Sequence, residues 1–169
     1  MGLDMYLYLS KYESKHTYGI NDEGKYGPVP YDKNFYPKEL KPLTESIASR
    51  DFLSKNTKYL VGYWRKFNAL HNYIVKNLAD GEDKCQEIYM SDEAIDKIID
   101  VLEQVSNNHS EAPRLLPPTT GFFFGSQDFD DWYFRDIEYS LELFKKVKEI
   151  VHQEEEKKNY FDVIYRASW

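Results

Sequence analysis

The sequence predicts an α+β fold: a small sheet that includes the N- and C-terminal strands, packed against three main helices. Period-two alternation at both ends and helical spacing between them carry that expectation. At the start, Leu3, Met5, Leu7 and Leu9 point one way while Asp4, Tyr6 and Tyr8 point the other. At the end, Phe161, Val163, Tyr165 and Ala167 alternate with Asp162, Ile164, Arg166 and Ser168. A strand with one apolar face needs neighbours, so the first and last strands are expected to pair, in a direction the sequence does not give.

In chain order, a strand over 2–9 comes first. Residues from about 14 to 42 lack periodicity and hold Gly19, Gly24, Gly27, Pro28, Pro30, Pro37 and Pro42. They read as a long irregular loop or extension with room for a short hairpin, inside a single domain over 1–169. Thr44 is placed to cap a short helix over 44–53, and Thr57 to cap a main helix over about 58–78 that stops near Gly81. A short strand follows over 87–90. Ser91 caps the next helix, in which Ile95, Ile98, Ile99, Leu102 and Val105 share one face and Asp92 and Glu93 suit the N-terminal dipole. That helix ends at Asn107-Asn108. Residues 119–126 form an aromatic strand or turn between two glycines. A long helix spans about 130–157, with Tyr133, Ile137, Leu141, Phe144, Val147 and Val151 on one face. The final strand covers 160–169.

Composition narrows the partners. The net charge of −7 argues against a nucleic-acid binder that works by neutralising phosphates. Apolar runs fall far short of a membrane span, and Met1–Ser10 has no basic leader. One cysteine, Cys85, cannot form an internal disulfide and suits a reducing cytoplasm. Aromatic residues reach 17 %, a composition suited to half-buried pockets and interfaces or equally to a tyrosine-rich core.

The segment Tyr63-Trp64-Arg65-Lys66-Phe67-Asn68-Ala69-Leu70-His71-Asn72 draws the functional expectation. On one helix, Leu60, Tyr63, Phe67, Leu70, Ile74 and Leu78 make an apolar stripe. Trp64, Asn68 and His71 then make a ridge along its border. A ring, an amide and an imidazole on one ridge can stack on a flat ligand and read its edge, stacking being worth ~1–3 kcal/mol per base. Arg65 is placed to fork onto an anionic group. The same ridge also reads as a packed border. Phe123, between Gly121 and Gly125, is a second stacking wall, or else part of a buried strand. Trp169 reads as packed in the core, as a pocket wall with Arg166 nearby, or as covered by a partner subunit, and Asp4 is a candidate carboxylate to orient His71. Asp128, Asp130 and Asp131 read as helix-start acids in preference to a metal site. Catalytic residues, metal ligands and cofactors are not expected, since no nucleophile completes a His71 base.

Several of these segments share one resemblance. The opening Met1–Leu7, the Tyr63–Lys66 run with Asn68, His71 and Asn72, the Thr120–Ser126 segment and the closing Ser168-Trp169 resemble a group of small bacteriophage and prophage proteins to which no activity is attached. The resemblance spans nearly the whole chain outside 14–56 and implies a phage or prophage origin, hence the host cytoplasm. The resulting expectation is a non-enzymatic binding protein that sequesters a small nucleotide-type ligand of host defence. One alternative is an acidic protein–protein inhibitor of a host factor. Another is a nucleotide- or sugar-modifying enzyme with His71 as base. No membrane partner is expected, and a homo-oligomer stays open.

Overall fold

The computed structural model describes residues 2–30, 32, 34–40, 52–121 and 124–169. It is an α+β fold with six strands and four α-helices among these residues, where three main helices were expected. The strands are β1 (Asp4–His16), β2 (Tyr18–Ile20), β3 (Tyr26–Pro28), β4 (Phe52–Arg65), β5 (Glu87–Met90) and β6 (Asp162–Ser168). The helices are α1 (Asn68–Leu78), α2 (Asp92–Asn107), the single turn α3 (Ala112–Leu115) and α4 (Asp131–Glu156).

The chain divides into two compact units, residues 1–10 with 58–169 and residues 11–57. In the larger unit the terminal strands pair antiparallel, Asp4 opposite Ser168 through Ser10 opposite Asp162, and β5 pairs antiparallel on the other side of β6. The four-stranded order is β4-β1-β6-β5. One face carries Met5, Leu7 and Leu9 from β1 with Leu3 just before it, Val163, Tyr165 and Ala167 from β6, and Ile88 and Met90 from β5, all buried. Against it pack Leu70 and Ile74 of α1, Ile95, Ile98, Leu102 and Val105 of α2, and Ile137, Phe144 and Val147 of α4. The caps follow the sequence: Ser91 Oγ accepts from Ala94 N at 3.2 Å, and Asp130 Oδ1 accepts from Tyr133 N at 2.9 Å.

The smaller unit is built differently. β2 and β3 form an antiparallel hairpin with Ile20 opposite Tyr26, inside the stretch that lacks sequence periodicity. Asn21 closes its turn by accepting from the N–H groups of Glu23 and Lys25, both at 3.1 Å. Tyr36 is tied to β4, its hydroxyl donating to Ser54 O at 2.7 Å and accepting from Ser54 N at 3.1 Å. The short helix expected over 44–53 lies outside the described residues up to 51; Phe52 and Leu53 are strand.

The main correction concerns the helix expected over 58–78. Residues through Arg65 are strand β4, and the helix begins only at Asn68. The run Tyr59-Leu60-Val61-Gly62-Tyr63-Trp64 is rich in aromatic and β-branched residues, which favour a pleated surface. A glycine inside a helix would cost about 1 kcal/mol. Near the end of β4 the alternation is period two: Gly62 and Trp64 are buried, Tyr63 and Arg65 exposed. Gly62 is also packed tightly against α4. A Cβ there would lie 2.4 Å from Leu143 Cδ2 and 3.2 Å from Leu7 Cβ. The expected stripe therefore joins residues of a strand to residues of a helix, and Leu60 and Tyr63 are exposed rather than core.

Candidate functional site

The corner between β4 and α1 governs where the singled-out side chains go. Lys66 takes a left-handed backbone (φ 65°), its N–H donating to Leu3 O at 2.8 Å, and Phe67 is buried. That sharp reversal separates Trp64 from Asn68 and His71, so the three do not share a ridge.

Trp64 points into the core. Its indole N–H donates to Ser140 Oγ at 2.8 Å, and its ring stacks on Phe144 with centroids 6.1 Å apart. Asn68, also buried, clamps the loop before α4. Its Nδ2 donates to the carbonyls of Phe124 and Ser126, and its Oδ1 accepts from Thr119 N, all at 2.9 Å. Gly125 completes that clamp. It sits at φ +92°, and a Cβ there would lie 2.9 Å from Lys66 Cβ.

His71 is sealed as well. Its Nε2 lies 2.9 Å from Asp83 Oδ2 and its Nδ1 2.8 Å from the Tyr165 hydroxyl. Asp83 is acceptor-only when ionised, which assigns the proton to Nε2 and leaves Nδ1 to accept from Tyr165. Burial first, then the charge of Asp83, raises the Tyr165 hydroxyl well above its ordinary value, so the phenol keeps its proton as donor. Trp169 Nε1 donates to the same Asp83 oxygen at 2.9 Å. The ring of Phe124 stands edge-on to both His71 (5.3 Å) and Trp169 (6.2 Å). His71 and Trp169 are thus brought together, through Asp83, a residue the sequence does not single out. The carboxylate expected to orient His71 is Asp83 and not Asp4.

The remaining candidates scatter. Asp4 accepts from the Tyr63 hydroxyl, a bond that heads the causes raising the Tyr63 hydroxyl above its ordinary value. Arg166 lies exposed between Tyr6 and Glu87 of the neighbouring strands. Phe123 lies outside the described residues.

Arg65 belongs to a different place, a cleft of about 220 Å³. One wall is Arg65, Lys66, Phe67 and Asn68; the other is Ser126, Asp128, Asp130, Trp132, Tyr133 and Asp136, with Ala69 and Pro118 completing the lining. Most of its polar groups are already engaged. Asn68 holds the loop, Asp130 caps α4, and Asp128 accepts from Ser126 Oγ at 2.9 Å. The Tyr133 hydroxyl, raised by burial, donates to Leu116 O at 2.8 Å. Three groups are different. Among the described residues, neither Arg65 nor Lys66 forms an ion pair, and no donor reaches the Asp136 carboxylate. Burial, and then the charge of Asp130, pushes the Asp136 carboxyl up to about 6. Trp132 stands at this cleft 71 % exposed, with the Arg135 guanidinium 5.1 Å from its ring centre.

A larger groove of about 430 Å³, lined by Asp96, Ile99, Lys145, Lys148, Glu149 and His152, lacks this character. Its lysines are paired, Lys148 with Asp96 and Lys145 with Glu103. It is a solvated ion-pair face.

Comparison with known proteins adds no assignment: no family model, curated protein or solved structure matches the chain. Among the described residues, no helix is long and apolar enough to cross a membrane.

Proposed function

We propose that this is a non-enzymatic binding protein whose site is the Arg65–Asp136 cleft, and that it takes a small nucleotide-type ligand. The observation that carries the reading is the pairing state of the cleft. Exposed Arg65 and Lys66 and the half-buried Asp136 carboxylate line one concavity with no ion pair or side-chain hydrogen bond among the described residues, whereas the lysines of the larger groove are paired. Unpaired charge held in a partly desolvated cleft is what a ligand of complementary charge would neutralise. In this reading Arg65 and Lys66 take the anionic group, Arg65 as a fork. One face of Trp132 meets Arg135; a planar ring takes the other. The volume lies below the roughly 300–1,000 Å³ of drug-sized pockets. It suits one nucleobase with a small charged group, left partly open to solvent, rather than an enclosed dinucleotide.

The reading is non-catalytic because the expected base, His71, has both ring nitrogens engaged and lies buried. The resemblance to phage proteins supplies the setting, sequestration of a host signal in the host cytoplasm. The test is a thermal-shift panel of the four ribonucleoside monophosphates and inorganic phosphate at millimolar concentration. A ligand at 100 times its Kd adds about 2.7 kcal/mol, a rise of several degrees for a chain of this size. The rise should vanish in the Arg65→Ala/Lys66→Ala double variant and in Trp132→Ala. No shift with any monophosphate overturns the reading.

A second reading, an inhibitor that docks on a host protein, has its own observation. The β2–β3 hairpin turns Tyr18, Ile20, Tyr26 and Pro28 outward and keeps Gly19 and Gly27 on the other side. A hairpin that places its apolar side chains in solvent has the composition of a contact surface. Salt-sensitive capture of a host protein, lost in Ile20→Asp with the nucleotide response intact, would select this reading.

A further inference from the structure

We infer that Asp136 selects the ring, favouring a base that presents two adjacent N–H donors, as guanine does, over one that presents a donor beside an acceptor, as adenine and cytosine do. The inference rests on the cleft being the nucleotide site. It follows from which groups are still available to read an edge. Of the carboxylates lining the cleft, Asp130 has Oδ1 engaged by Tyr133 N and Asp128 has Oδ2 engaged by Ser126 Oγ, so neither offers both oxygens to a ligand. Asp136 has no donor among the described residues. The other edge-reading groups are occupied too, Asn68 by three backbone groups and the Tyr133 hydroxyl by Leu116 O.

A carboxylate only accepts. Guanine offers N1–H and the 2-amino group side by side, which match both oxygens at once. Adenine offers its 6-amino group beside the N1 acceptor, so one carboxylate oxygen would face a lone pair. Cytosine sets its 4-amino group beside the N3 acceptor with the same result. Uracil offers a single N–H between two carbonyls. A buried acceptor that the ligand leaves unmatched is penalised more heavily than a matched one is rewarded. The preference is therefore built into the side-chain type. An amide would reverse it, since a carboxamide presents an acceptor beside a donor, the pattern that pairs with adenine.

The experiment measures affinities of GMP, IMP and AMP for the full chain and for Asp136→Asn by calorimetry. IMP keeps N1–H and lacks the 2-amino group. The parent should bind GMP about 10-fold or more tighter than AMP, with IMP between them. Asp136→Asn should lose that preference and move towards AMP, while Arg65→Ala should weaken all three alike. Asp136→Asn removes an ionisable group from a site that penalises its charge, so it is expected to fold, and its thermal midpoint confirms this. Equal binding of all three by the parent overturns the selectivity and leaves the nucleotide site standing. A guanine preference that survives in Asp136→Asn also overturns it, since another group would then read the ring. Binding of none removes both the cleft reading and this inference.

Discussion

Two polar regions flank the N-terminal half of α1, and they are opposites. Around Asn68 and His71 every side-chain nitrogen and oxygen has a partner, and the partners lie far along the chain: Thr119, Phe124, Ser126, Asp83 and Tyr165. Among the described residues, the side chains of Arg65, Lys66 and Asp136 stand at one cavity with no ion pair or hydrogen bond. The contrast shows that residue type does not separate an engaged group from an available one. Histidine, asparagine and tryptophan look like recognition chemistry, and here they hold the fold. The available chemistry sits in charges that look like ordinary surface.

That contrast can be broken by substitution, the largest effects being expected on the satisfied side. Trp64→Ala removes a fully buried ring and its bond to Ser140, and should cost about 3–5 kcal/mol in denaturant unfolding. Asn68→Ala leaves three backbone groups of the 119–126 loop without a partner and should cost about 2–4 kcal/mol. It should also change the cleft, because that loop forms one wall. If either variant unfolds within 1 kcal/mol of the parent, the scaffold half of the comparison fails.

Asp136 gives a pH-dependent test. Its folded-state pKa of about 6 lies above the unfolded value near 4. Stability from the neutral form is therefore fully present below pH ~4 and is lost as pH rises through about 6. Asp136→Asn should match the parent at pH 4 and exceed it at pH 7.5 by about 1 kcal/mol, a figure discounted because the carboxyl is partly solvated. The groups that bear on Asp136 are Asp130, Asp128 and Tyr133 beside it and Arg65 and Lys66 across the cleft. A pH-independent difference would remove the desolvation account. The smallest effect belongs to Arg65→Ala, which should change stability by less than about 0.5 kcal/mol, since it breaks no ion pair. A large loss there would show that Arg65 is structural after all.

The parts legible in the sequence are those with a clean period and a local cap. β1, β6, α2 and α4 all declare themselves this way, and Ser91 and Asp130 mark helix starts through bonds three residues long. β4 is illegible because the spacing of Leu60, Tyr63, Phe67, Leu70 and Ile74 mimics a helix across a junction. The device that makes the junction, a left-handed lysine, has no signature in the sequence. The role of His71 could not be read because Asp83 and Tyr165 reach it through tertiary structure alone. Asp136 was missed because it lies in an acidic helix whose carboxylates read as solvated. Arg65, expected to hold an anion, lines the cleft with Asn68, while Trp64 and His71, expected on the same ridge, are sealed elsewhere.

The pairing of β1 with β6 sets a schedule for folding. Asp4 and Ser168 are register partners, so the central seam of the sheet closes across almost the entire chain. Such a high contact order slows the search for the native state. During synthesis β4, on the other edge of β1, is complete by Arg65, so β1 has one neighbour well before β6, whose register partners lie more than 150 residues on from β1. Until β6 arrives, it is the β6-facing edge of β1 that stands open to a chaperone or to another nascent copy.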